Sequence, residues 1–198
     1  MLMRRPIGSA MLACVLGLFV VQQSLAQEPS LERASAEFGQ GIQAFNLGQA
    51  DEALRHWQAA LAICQRIPSA EQERANCQKN IGVALEHLGR YEEAVASLKT
   101  AWETYQKIPD AELDCAGCQL NLGGVLKQMD RYEEALTSLS SALRIYQRVD
   151  GAERQQAHCY TKLGSVFERM ARYEEALKNY RAALTMYGQM SNSNTNQA

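Results

Sequence analysis

Gly89-Arg90-Tyr91-Glu92-Glu93-Ala94 returns as Asp130-Arg131-Tyr132-Glu133-Glu134-Ala135 and again as Ala171-Arg172-Tyr173-Glu174-Glu175-Ala176, 41 residues apart each time. One period earlier lies Gly48-Gln49-Ala50-Asp51-Glu52-Ala53, a weaker copy that keeps the turn residue, the acidic pair and the alanine. Four copies at one spacing mark a repeat protein, in which a unit cannot bury its apolar face alone and must stack on its neighbours.

Helical periodicity occurs twice in each copy. Ile81, Ala84, Leu85 and Leu88 fall at i, i+3, i+4 and i+7, and Ala94, Leu98, Ala101, Trp102 and Tyr105 follow after the turn at Gly89. The next copies place Leu122, Val125, Leu126 and Met129 before Ala135, Leu139, Ala142, Leu143 and Tyr146, then Leu163, Val166, Phe167 and Met170 before Ala176, Tyr180, Ala183, Leu184 and Tyr187. Two amphipathic helices per repeat follow, hence an all-α chain. Gly41, Gly82, Gly123 and Gly164 share one slot, and Ala60, Ala101, Ala142 and Ala183 another. Gly inside a helix costs about 1 kcal/mol against Ala, so four in register imply close helix packing.

With its Ile81-Gly82, Leu122-Gly123 and Leu163-Gly164 pairs and Tyr-Glu-Glu-Ala lead-ins to the second helices, the chain resembles the tetratricopeptide repeat family over residues 31 to 187. The resemblance implies a right-handed α-solenoid of four helix-turn-helix units whose first helices line a concave, protein-binding face. The period is seven longer than that family's usual 34, as in the repeats of kinesin light chains. The first copy departs most, with Gln40 before Gly41 and Ala50 in place of the aromatic.

The repeats occupy residues 34–67, 75–108, 116–149 and 157–190 of a domain spanning 27–190. Ser69-x-x-Gln72 and Asp150-x-x-Glu153 read as capping boxes, and Asp110 as a cap, so the inserted residues should lengthen each following first helix by about two turns. Residues 191–198 are small or polar and without periodicity, an expected disordered tail. At the other end, Arg4 and Arg5, the apolar run Ala10 to Val21 and Ser24-Leu25-Ala26 read as a signal peptide, residues 1–26, cleaved after Ala26. The run falls short of the roughly 20 residues that span a bilayer. A lipid anchor at Cys14 is disfavoured because apolar residues continue past it. The expectation is an exported protein, periplasmic or secreted, with no stable membrane span after cleavage.

Cleavage removes two of the 20 basic residues and none of the 22 acids, leaving a net charge of −4. That balance argues against a nucleic-acid partner. No Ser-His-Asp order, phosphate loop or metal-ligand spacing is present, and His56, His87 and His158 lie on different repeats. The reading is a non-enzyme without cofactor or metal. Cys77, Cys118 and Cys159 share one slot and read as packed thiols. Cys115-Ala116-Gly117-Cys118 forms a Cys-x-x-Cys pair, open to a local disulfide or, lacking a preceding strand, to a disfavoured redox role. Cys64 could reach Cys77 across the Pro68 turn, but counting helical rise puts Cys77 roughly 7 Å beyond the point opposite.

Mapped by period, the groove stripe holds Asn80, Asn121, Lys79, Lys127, Lys162 and Arg169, with Phe38 and Phe45 at its first end. In the family, an amide at the Asn80 and Asn121 slot holds the backbone of an extended peptide; the alternative is an amide facing water. Lys79, Asn121 and Lys162 match half of the family's carboxylate clamp, while Val83 and His158 depart from it. An apolar end and a basic end suit an extended peptide segment with an acidic group at one end. A competing reading is a structural subunit of a cell-envelope assembly that docks through its end faces. The last helix carries Tyr180, Leu184, Met186 and Tyr187 with no polar capping helix in the sequence after it, which predicts an interface there, self-association included.

Overall fold

The computed structural model describes residues 30–195, with side chains as far as Met190. Eight helices follow one another: α1 (Leu31–Asn46), α2 (Ala50–Cys64), α3 (Glu71–His87), α4 (Tyr91–Tyr105), α5 (Glu112–Gln128), α6 (Tyr132–Tyr146), α7 (Glu153–Arg169) and α8 (Tyr173–Thr195). They pair as α1 with α2, α3 with α4, α5 with α6 and α7 with α8, and each pair stacks on the next. This is the expected all-helical array of four helix-turn-helix units. The expected signal peptide, residues 1–26, lies outside the described residues.

Within each unit the turn is fixed by the backbone. Gly48, Gly89, Asp130 and Ala171 take the left-handed conformation, with φ of 78°, 72°, 56° and 58°. Arg90 N–H then donates to Leu85 O and Gly89 N–H to Glu86 O, and the same pair of bonds recurs at Gln49, Arg131 and Arg172. These four Schellman motifs satisfy the last carbonyls of the first helices and reverse the chain. Arg90, Arg131 and Arg172 open the second helices and grip Glu93, Glu134 and Glu175 through both carboxylate oxygens.

The glycine slot is the crossing point of each pair. A Cβ at Gly82 would sit 2.6 Å from Leu98 Cγ, at Gly123 2.5 Å from Leu139 Cγ, and at Gly164 2.8 Å from the Tyr180 ring; at Gly41 it would enter the Trp57 indole. Leu98, Leu139, Ala60, Ala101 and Ala142 are fully buried. Closure of this crossing removes each large side chain from water, worth about 1.5–3 kcal/mol apiece.

Between units, the capping expectation fails. Helices α3, α5 and α7 begin at Glu71, Glu112 and Glu153 behind Ala70, Ala111 and Ala152, and no side chain caps them. Asp110 and Gly151 instead adopt positive φ, 60° and 82°, and the small residue that follows is buried in the joint. Three of the seven inserted residues make the reversal, so the first helices gain about one turn rather than two. At the start of α1 a side chain does cap: Ser30 Oγ accepts from Arg33 N–H. The last helix also differs from expectation: α8 continues to Thr195, into the stretch read as a tail.

Candidate functional site

Successive first helices, α3 with α5 and α5 with α7, approach more closely than successive second helices, so the first helices lie on the inside of the stack. Cross-helix bonds bind this inner face. Lys79 Nζ donates to Asp114 Oδ1 at 2.8 Å, Gln72 Nε2 to Asp114 Oδ2 at 3.3 Å, and Lys127 Nζ to Ser165 Oγ at 3.0 Å.

The predicted groove residues fall into groups once their partners are known. Lys79 is spent on Asp114 and lies 5.2 Å from the centre of the Tyr105 ring. Arg169 is likewise spent, donating to Asp130 Oδ1 at 2.8 Å and reaching Tyr132 Oη at 3.4 Å. The hydrogen bond from Tyr132 and then the one from Arg169 hold the Asp130 carboxyl below its usual range. Asn80 turns back on its own helix, Nδ2 donating to Asn76 O at 2.8 Å, while Tyr105 Oη donates to Asn76 Oδ1 at 2.6 Å. Phe38 and Phe45 are half-buried against Trp57, with centroids 6.4 and 5.6 Å away, and Phe45 also meets the His87 ring edge-on at 4.7 Å. They are the edge of the core as much as an open apolar floor.

What remains is a compact basic point. Gly124 is buried and bare, and a Cβ there would lie 2.8 Å from Lys162 Nζ and 3.2 Å from Glu86 Oε1. Burial, then the nearby Lys162 charge, push the Lys127 ammonium below its ordinary pKa, with Glu86 acting the other way. Lys162 and Glu86 thus reach a floor without a side chain, with Lys127 and half-buried Asn121 three residues to either side of Gly124 on α5. Sequence reading places the lysines and Gly124 on the inner stripe and misses Glu86; that Gly124 leaves a bare floor is signalled by its slot, shared with Val83 and Ser165, where glycine breaks the pattern.

At the far end, Tyr173, Leu177, Leu184 and Tyr187 are 68%, 48%, 72% and 37% exposed. The matching Tyr132, Leu136, Leu143 and Tyr146 are covered because α7 packs over α6. Of the four residues predicted for an interface, Leu184 and Tyr187 face outward. Tyr180 and Met186 are half-buried, and Tyr180 Oη donates to Glu168 Oε2 at 2.7 Å.

All five cysteines of the described residues are free thiols, and Cys77, Cys118 and Cys159 are packed in the core. Burial pushes Cys118 up to about 12 and also raises Cys115, whose acidic neighbours Asp114 and Glu112 add to the effect. A reactive Cys-x-x-Cys pair requires the opposite shift. Cys64 and Cys77, expected to miss each other, line one cavity and lie near enough to perturb each other's ionisation.

No helix among the described residues is long and apolar enough to cross a membrane. No curated protein sequence matches the chain significantly. Among solved structures, BtubC (BKLC) from P. vanneervenii superposes with a TM-score of 0.71 at 21% identity, over 80% of this chain and 64% of its own. The Rap conjugation gene regulator of plasmid pLS20, solved with a Phr peptide, gives 0.68 at 25% identity over 75% of this chain and 41% of its own. Apo RapI gives 0.75 at 17% identity over 93% and 66%. The chain therefore spans less than two thirds of the length of each of these proteins. The tetratricopeptide repeat sequence pattern matches residues 32–107 and 115–189. With four helix pairs in register across those residues, the chain belongs to the tetratricopeptide repeat family.

Proposed function

We propose that this chain is an exported, non-catalytic scaffold that holds an extended, acidic segment of a partner protein along the face of its first helices. The observation that carries the reading is the pair Lys127 and Lys162 beside bare Gly124, which make no ion pair among the described residues, while Lys79 and Arg169 are neutralised within the chain. Two ammonium groups beside a floor without a side chain suit a carboxylate, which would take the place of the Glu86 carboxylate that reaches it, and Asn121 can donate and accept at a peptide backbone passing it. The Rap regulator solved with a peptide lends the reading a precedent among similar folds. Export is supported by Arg4, Arg5, the apolar run and Ser24-Leu25-Ala26. N-terminal sequencing of the protein recovered from its host should give Gln27.

The groove is tested with fluorescent nine-residue peptides, each acidic sequence matched by its amide counterpart. Acidic peptides should bind, with affinity falling as salt rises, and Lys127→Gln or Lys162→Gln should weaken them by about tenfold. Equal binding of the amide peptides, or no response to either substitution, refutes the reading.

A second reading is favoured by the exposed stripe Tyr173, Leu177, Leu184 and Tyr187, which is docking through the end face. Sedimentation at micromolar concentration of wild type and a Leu184→Glu/Tyr187→Glu variant checks it. A monomeric wild type, together with unchanged partner recovery in the variant, eliminates that interface.

A further inference from the structure

One slot of the second helices holds Tyr105, Tyr146 and Tyr187, but Cys64 in the first repeat. In the slot 13 residues later stand Cys77, Cys118 and Cys159. At the second joint Tyr105 fills the space against Cys118, and at the third Tyr146 lies near Cys159. At the first joint the ring is missing. A cavity of about 100 Å³ takes its place, lined by Ala34, Ser35, Phe38, Cys64, Asn76 and Cys77 among others. Both thiols line this cavity, 1% and 2% exposed, one from α2 and one from α3. Arg74 clasps the connection from outside, donating to Ile67 O at 3.0 Å and Cys64 O at 3.4 Å. Among the described residues no group of three or more Cys, His, Asp or Glu could hold a metal ion, so this is a pair of thiols rather than a ligand set.

We propose that Cys64 and Cys77 form a specific disulfide staple that locks the first repeat to the second, made by exchange with a small disulfide such as glutathione disulfide. The thiolate of Cys64 attacks one glutathione sulfur, forming a mixed disulfide and releasing one glutathione thiolate, which takes up a proton. Cys77 then loses its proton to solvent and attacks the Cys64 sulfur, releasing the second glutathione. Two protein thiols are oxidised to one disulfide, and one glutathione disulfide is reduced to two thiols. Burial keeps both thiols protonated, Cys77 up to about 12, so exchange proceeds slowly through local opening of the first joint. The staple closes a 14-residue loop and fixes the joint beside Phe38 and Asn76, at the apolar end of the inner face.

Tryptic cleavage separates the candidates. Cys64 falls in residues 56–66, Cys77 in 75–79, Cys115 and Cys118 together in 108–127, and Cys159 in 155–162. Reduced full-length protein is held in native buffer with excess glutathione disulfide, then acid-quenched, alkylated, digested and weighed. The expected result is 56–66 joined to 75–79, with Cys115, Cys118 and Cys159 alkylated, and a melting midpoint higher by on the order of 5 °C. Cys64→Tyr restores the residue of the other repeats, so it should fold, leave Cys77 alkylated and show no oxidant-dependent shift. The proposal is overturned if Cys64 and Cys77 remain alkylated in native buffer yet pair once urea is added. It is equally overturned if Cys64 pairs with any other cysteine, Cys14 included, or if the link forms without raising the midpoint.

Discussion

Gly123 and Gly124 are neighbours on α5, yet the same substitution should change stability in opposite directions. Replacing either by Ala gains about 1 kcal/mol of helix propensity. At Gly123 the new methyl would stand 2.5 Å from Leu139 Cγ, 2.7 Å from Leu139 Cδ2 and 3.2 Å from the Ala135 carbonyl. Leu139 is fully buried and Ala135 O is backbone, so relief requires α6 to move away by about 1 Å, at an overpacking cost of about 3 kcal/mol. The net expectation for Gly123→Ala is a loss of about 2 kcal/mol. At Gly124 the nearest atoms, Lys162 Nζ at 2.8 Å and Glu86 Oε1 at 3.2 Å, are the ends of flexible chains that swing aside. Gly124→Ala should therefore stabilise by up to about 1 kcal/mol while filling the floor of the peptide site. Urea titrations followed by helical circular dichroism measure both. Leu139→Ala alone should cost about 2–5 kcal/mol. Combined with Gly123→Ala it should cost clearly less than the sum, because the new methyl occupies space the leucine vacates. Additive losses in the double variant, or a Gly123→Ala protein as stable as wild type, would refute the packing account.

Ala171 holds a left-handed turn that Gly48 and Gly89 hold without a Cβ, so Ala171→Gly should raise stability by about 0.5–1 kcal/mol in the same titration. Cys77, Cys118 and Cys159 ionise near 12 when folded against a reference of 9.0, so the unfolded chain releases these protons first. Their contribution is whole below about pH 9 and is lost as pH rises toward 12; the urea midpoint should fall over that window, and less steeply in a variant with all three replaced by Ala. In the peptide assay, Asn121→Ala should weaken binding by about 1 kcal/mol, and Asn80→Ala by less, because the Asn80 amide already donates to Asn76 O.

The repeat lattice was legible because its signals are local and recur. Arg-Tyr-Glu-Glu-Ala places the start of each second helix, and the glycine slot places the crossing where Leu98, Leu139 and Tyr180 lie over bare backbone. The joints between repeats were legible only in part. Ser69 and Asp150 carry the residue types of a cap, but the chain meets the demand at Asp110 and Gly151 with positive φ and buries Ala111 and Ala152 instead of hydrogen-bonding a side chain. Burial of a small residue against the preceding helix leaves no mark that a capping pattern can register.

The functional face shows where periodicity stops carrying information. A period assigns Lys79, Lys127, Lys162 and Arg169 to one inner surface but is silent about which of them is already paired, since Asp114 and Asp130 reach them from other repeats and other slots. Four apparent cations therefore reduce to two, and those two stand over Gly124, where the lattice is broken. The same logic governs the thiols. Cys64 looks out of register only while cysteines are compared with cysteines; compared with its own slot it replaces a tyrosine, and the cavity it shares with Cys77 stands where that ring would be. In a chain built by repetition, the positions that differ from their own register, Gly124 on the inner face and Cys64 at the first joint, are the ones at which packing alone gives no reason for the residue present.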